Sequence, residues 1–367
     1  HYTYLQSIRG ILYSDLSNLI LMKYIYRVLV FSILFSCENK SIFEKETSTV
    51  DSFPQTITLK GEEQKLEALG IVDIMVIDTF LIAYTPMNHD YYYLVYSTSN
   101  LKKLGKFLPE GRGANEFYAL VHDKCHETED GIIKTWLNNG FIKYCWNISQ
   151  SVKEGHTVID SVIMSKGILS SGTWYTTSNN NELVGFQYSS NNMYYISYNL
   201  THHQEVHRHK IFSRNFPTQK LEIVAMNTCI KPDRSKIALV GWNNNYICIF
   251  NSDFSELRPF TIYGKGISIN KAATMEPSAR ILYYSCENST DRYLYALYVN
   301  QPEEKRQYHT GNEEIHIYNW DANPIANIII SENIMCFAVD EKYKCLYGLT
   351  SDEKLYKYDL SKYFDKL

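Results

Sequence analysis

From Asp51 onward the chain repeats one pattern: an apolar run, a polar turn, then a tyrosine-rich run of alternating apolar and polar positions. The first runs are "FLIAYT" from Phe80, "GIIKTWL" from Gly131, "ELVGFQY" from Glu182, "KIALVGW" from Lys236, "RILYYSC" from Arg280 and "KCLYGLT" from Lys344. Their partners are "YYYLVYST", "GFIKYCWN", "MYYISYNL", "YICIFNSD", "EIHIYNWD" and "KLYKYDLS", so the starts lie 51, 51, 54, 44 and 64 residues apart. The turns between them are rich in Asn, Ser, Asp and Gly, as in "MNHD", "SSNN" and "NNN". The fifth pair is split by a longer insertion that holds "DRYLYALYVN" and the charged "QPEEKRQYHTGNEE". Period-two alternation in short runs is strand chemistry. Six units of about 50 residues then predict radial repetition, because one four-stranded sheet cannot cover its own two faces. The expected fold is all-β, a six-bladed β-propeller over 51–367. A β-sandwich is the alternative, but six pairs are hard to fit into one. Helical periodicity is nearly absent, with the short "GEEQKLEAL" as the exception. The last unit ends at "KYFDKL" without an outer strand. An N-terminal strand, "FPQTITLKG" (Phe53 to Gly61), is expected to close this last blade and remove its open edge.

The N-terminal region has a different grammar. "RVLVFSILFSCENKS" is a nine-residue apolar run, Val28 to Ser36, that stops at Cys37 and turns polar. A membrane-spanning helix needs roughly 20 apolar residues, and lengthening this run upstream would bury Lys23 and Arg27 in hydrocarbon. Basic "MKYIYR", apolar "VLVFSILFS" and then cysteine have the order of a secretory signal. Leu34-Phe35-Ser36-Cys37 resembles a bacterial lipoprotein box, with bulky Phe35 where a small residue is commoner. That resemblance implies a diacylated Cys37 as mature N-terminus; a buried N-terminal strand or helix is the alternative. Met22 is the first methionine, so 1–21 reads as a non-native upstream extension, 22–36 as signal peptide and 37–50 as a polar tether. The expected location is the cell envelope, lipid-anchored, on the periplasmic or surface face of an outer membrane.

Charge adds exclusions. With 36 basic and 40 acidic residues the net charge is −4, and no basic run suits nucleic acid. The 31 tyrosines, 16 phenylalanines and 5 tryptophans favour strands. Of eight cysteines, seven remain after Cys37, an odd number with no C-x-x-C spacing. Most sit inside apolar runs and read as small buried hydrophobes. Only Cys336 and Cys345, on one expected hairpin, are placed for a disulfide.

"GRGANEF" (Gly111 to Phe117), "IHIYNWDANPIANIII" and "IMCFAVDEKYKCLYGL" together resemble the six-bladed TolB-like propeller lipoproteins of the Gram-negative envelope. The likeness covers most of Phe53 to Leu360. Ala114 stands where that family's loop has proline, and Ala322 where its late turn has glycine. The resemblance implies an envelope-anchored propeller and only weakly specifies a function.

Candidate sites follow. A phosphate-binding reading of "GRGANEF" requires a helix after it, and "YALVHDK" is strand-like. An inter-blade turn fits better, with Gly111 and Gly113 free to take positive φ, Glu116 accepting backbone N–H bonds and Phe117 wedged between blades. In "THHQEVHRHK", His203, Glu205, His207 and His209 share one face of an extended strand, which spreads them too far for zinc. Asp73, Asn227, Asn270 and Glu276 are hard oxygen ligands that would suit calcium if they lined a central channel. No nucleophile or metalloprotease motif occurs. Two functions stay open: a monomeric binding propeller for a protein, peptide or glycan, without cofactor, or a calcium-dependent lactonase-type hydrolase. Asn- and aromatic-rich turns such as "NNNYI", "SSNNMYY" and "MNHDYYY" are expected to form the binding rim.

Overall fold

Each of the twelve paired runs contains a strand, and the strands of the described residues assort into six sheets. The structure, a computed structural model, describes residues 41–43, 47–140, 142–164, 174–177, 181–189, 192–212, 223–267, 269–308 and 311–364. Within blade one the strands Asp73–Ile77, Phe80–Tyr84, Tyr91–Ser97 and Lys103–Pro109 pair antiparallel in chain order from the axis outward. Blades two (Val121 to Met164) and three (Trp174 to Lys210) repeat that plan, as do blades four (Met226 to Ile262) and five (Ile281 to Ile330). Blade six runs from Ile334 to Asp359. Neighbouring blades cover both faces of each sheet, so the inner strands are apolar without interruption. Five consecutive residues of Tyr91–Ser97 are buried, and so is all of Cys345–Thr350.

The fifth unit is regular once its strands are placed. "RILYYSC" is the innermost strand (Ile281–Ser289), and the supposed insertion "DRYLYALYVN" supplies the second (Tyr293–Pro302). Second strands therefore begin at Phe80, Ile132, Glu182, Lys236, Tyr293 and Cys345, an even spacing that the original pairing hid.

The N-terminal segment is not a free tether over its described length. It runs as a strap across the outer edges of four consecutive blades. Ile42 and Phe43 donate to the carbonyls of Lys210 and Ile211 in blade three (2.8 and 3.3 Å), and Phe43 stacks on Phe212. Ser48–Val50 adds a fifth, parallel strand to blade four. Thr56–Leu59, inside "FPQTITLKG", adds a parallel fifth strand to blade five, with Ile57 and Leu59 turned inward. Glu62–Gln64 then pairs antiparallel with Leu355–Asp359 as the outer strand of blade six. An N-terminal strand thus closes the last blade, but it is the segment after "FPQTITLKG" that does so. The supposed helix "GEEQKLEAL" begins with this closing strand.

Apolar clusters join blades one to two, three to four, four to five, and five through six to one. Among the described residues none joins blade two to blade three. The contacts described there are polar: buried Lys143 donates to Asp123 and to the carbonyl of Trp174 (2.6 Å), and Asn138 holds the other oxygen of Asp123 (2.5 Å).

Candidate functional site

Innermost strands supply a channel, and the residues on them decide what it holds. Asp73 begins the inner strand of blade one and faces His122 Nε2 of blade two at 3.3 Å. Asn227, on the inner strand of blade four, donates to Glu287 Oε1 at 2.9 Å. Blades one and four are opposite in a six-membered ring, so these two oxygens are not neighbours. Asn270 lies in the helix Ile269–Thr274, and Glu276 is an exposed residue capping the turn Pro277–Ala279. Both belong to the connection between blades four and five, outside the channel-lining strands. The four calcium candidates are not brought together, and no group of His, Cys, Asp and Glu among the described residues is arranged to hold a metal.

At one mouth of the channel, where each first strand turns into its second, a cavity of about 250 Å³ is lined by Asp78, His126, Asp291, Asp340, Glu341 and Lys342 among others. Lys342 reaches Asp78 at 3.3 Å. Burial pushes the Asp340 and Glu341 carboxyls above their ordinary range. It also pushes His126 down to about 4, which nearby Asp291 opposes and Arg234 reinforces. Arg234 leaves blade four to pair with Glu127 of blade two and to donate to the Thr177 carbonyl of blade three (3.0 Å). This face is acidic and tied by ion pairs.

The opposite face carries the turns between second and third strands and the loops between blades. There the asparagines are structural. Asn243, Asn244 and Asn245 are buried, and their amides donate to the carbonyls of Ile281, Ile223 and Ile262. A Cβ on Gly241 would lie 2.0 Å from Asn244 Oδ1, so this turn closes only around glycine. Asn192 of "SSNN" is buried as well and Asn88 of "MNHD" is half-buried, so these asparagines do not stand out as exposed side chains among the described residues. Large apolar side chains do: Leu69, Met87, Tyr118, Val121, Tyr188, Trp242 and Tyr263 are all exposed on this side. They are seven of the twelve exposed large hydrophobics in the described residues, against Ile132 and Tyr343 on the acidic side. A cavity of about 190 Å³ opens here beside Asn243, between the helix Ile269–Thr274 and the start of blade five.

The "GRGANEF" loop sits on the same face between blades one and two. Glu116 accepts from the Gly113 N–H at 2.7 Å, and Phe117 packs edge-on against Tyr144 of blade two. Neither Gly111 nor Gly113 has positive φ; that conformation falls on Asn115 (φ 67°). A Cβ on Gly111 would meet the Glu116 carboxylate at 1.9 Å, so a larger residue there would push that exposed side chain aside. In "THHQEVHRHK" a bulge intervenes and His203 falls in the preceding turn. Glu205 pairs with Arg208, while His207 and His209 pack on Phe254 of blade four. Cys336 lies opposite Leu349 and Cys345 opposite Asp340, so the register does not set the two thiols face to face. Cys37 lies outside the described residues.

Among the helices that escaped the pattern reading is Ile148–Glu154, which follows the third strand of blade two. Its signal was the pair of caps: Asn147 accepts from the Gln150 N–H, and Gly155 ends the helix in the left-handed region.

Comparison with known proteins finds solved structures similar to this chain at low identity. No family model matches it, and no curated protein does. A Bacteroides fragilis structure described as an exported protein is 11% identical, with 83% of this chain and 99% of that one covered at a TM-score of 0.46. A Bacteroides vulgatus member of the DUF4221 family is 10% identical over 82% and 97%, with a TM-score of 0.48. The Cps50 (Swd1) β-propeller domain of Myceliophteria thermophila is 7% identical over 82% and 100%, also at 0.48. Likeness at this level transfers no activity.

Proposed function

We propose that this propeller is a binding module of the cell envelope, lipid-anchored through Cys37, which presents the face of inter-blade loops and second-to-third-strand turns to a partner. The observation that carries the reading is the one-sided distribution of exposed apolar side chains. Large apolar groups concentrated on one face mark interaction surfaces, whereas the other mouth is acidic and cross-braced. The scattered oxygen ligands give the calcium-hydrolase alternative no support. The test compares a double variant with a single one. Trp242→Ser with Met87→Ser should abolish capture of the partner from native envelope fractions, while Tyr343→Ser on the acidic side should leave it intact. Equal capture by all variants would sink the reading. The anchor is tested separately: labelled fatty acid should enter the full chain in a Gram-negative host and fail to enter Cys37→Ala.

A further inference from the structure

We infer that the arc of the apolar face over blades three and four lies against the lipid surface in which Cys37 is anchored. This rests on the reading that Cys37 carries lipid, and it names the bilayer as what that part of the face meets. The strap enters the described propeller at the apolar face itself. Ile42 N–H donates to the carbonyl of Lys210 (2.8 Å), and Lys210 pairs with Tyr194, close to the turn between the second and third strands of blade three. Phe43 lies against Tyr246, the first residue of the third strand of blade four, with ring centroids 5.1 Å apart. Both contacts fall at the end of the blades that carries Trp242, away from the acidic mouth. Residues 38–40 alone separate Cys37 from Ser41, so the extended chain bridges at most about 14 Å. The outer strand of blade three, Gln204–Lys210, rises about 20 Å from the acidic side to Lys210. An anchor at Cys37 therefore reaches a bilayer on the apolar face and falls short of one across the acidic mouth.

The exposed side chains of this arc match such a surface. Tyr188, Trp242 and Tyr263 are 51, 36 and 43% exposed. Each combines an apolar ring with a polar tip, the chemistry that settles at the headgroup level of a membrane. Beside blade one, across the ring, the same face exposes the aliphatic Leu69 and Met87 instead. Tyr263 is also held by the strap, its N–H donating to the Val50 carbonyl (2.9 Å) and its ring standing edge-on to Phe53. The segment that leads to the anchor thus fixes one of the aromatics. Acyl chains supply the attachment; the aromatic arc sets the orientation.

Tryptophan quenching reads this contact directly, because Trp242 is exposed and the other four tryptophans are buried. The full chain, produced with labelled fatty acid in a Gram-negative host, is reconstituted on phosphatidylcholine vesicles brominated near the headgroup. Its emission should fall relative to unbrominated vesicles, and Trp242→Phe should remove the quenchable part and keep the rest. In that Trp242→Phe background, Tyr188→Trp should restore quenching. Val206→Trp, on the outer edge of blade three, and Tyr343→Trp, on the acidic side, should not. All three positions are exposed, so these substitutions leave folding intact. Labelled, vesicle-bound chain with no quenching at Trp242 would overturn the docking and leave the anchor standing. Quenching at Val206→Trp or Tyr343→Trp equal to that at Trp242 would sink the docking too, by placing the edge or the acidic mouth on the lipid. A chain that takes up no label and stays off the vesicles would remove the anchor reading, and the docking with it.

Discussion

Ala322 holds a left-handed backbone (φ 66°) in the turn after Trp320, where Asn319 Oδ1 accepts from the N–H groups of Asp321 and Asn323. An alanine there carries a cost that glycine avoids. Ala322→Gly should raise stability by about 0.5–1 kcal/mol in urea unfolding, net of the packing its methyl loses. Buried tyrosines divide by their hydroxyls. Tyr93 is fully buried against Trp146, and its hydroxyl has no hydrogen-bond partner among the described residues, whereas Tyr284 bonds His316 Nδ1 at 3.0 Å. Tyr93→Phe should therefore be neutral or stabilising, and Tyr284→Phe should cost about 1–2 kcal/mol by the same measurement. His126 gives the pH dependence. Its unfolded value is 6.5 and its folded value about 4, so the unfolded chain takes the proton first. Stability is then lost as pH falls from 6.5 to about 4, by on the order of 3 kcal/mol. His126→Gln should flatten that window in a pH series of unfolding midpoints. Asp340 and Glu341, raised by burial, act with the opposite sign and lose stability as pH rises through their folded values.

At the level of elements, the strap strand Thr56–Leu59 is the most exposed to test. Ile57 is 2% exposed in a cluster with Ile328 and Ile330 of blade five, and Ile57→Ala should cost about 2–4 kcal/mol in chemical unfolding. That this segment is a strand was legible from its alternation. Its partner was not, because a parallel pairing of Thr56 with Asn327, far along the chain, leaves no local trace. The six-fold repeat was legible because each blade re-uses the same apolar run and turn. Which run was innermost was not, because in a ring both the first and the second strands are covered on two faces. "RILYYSC" and "KIALVGW" therefore read alike, although one is a first strand and the other a second. The candidate site was legible only in its face. "NNN" marked a turn on that face, but its amides serve the backbone, and the exposed side chain there is Trp242 beside it.

For the whole molecule, the ring is unevenly bonded. Apolar clusters fasten its other junctions, while the described contacts between blades two and three centre on the Lys143–Asp123 pair and the Trp174 carbonyl. Burial raises the Asp123 carboxyl despite its partner, so removing the lysine leaves a charge that the interior does not solvate. Lys143→Met should cost about 3–5 kcal/mol, and Lys143→Met with Asp123→Leu should recover most of it. Hydrogen exchange in Lys143→Met should rise first in the strands Ile142–Asn147 and Trp174–Thr176. The strap passes over a different part of the circle, from blade three to blade six, and this bears on tension. A pull from the N-terminal side meets four separate edge contacts before it reaches any inner strand: the pair of bonds on blade three, two parallel strands, and the closing strand. Force is taken up by successive peeling at the circumference, and the channel and both faces keep their shape until the last fastening gives way.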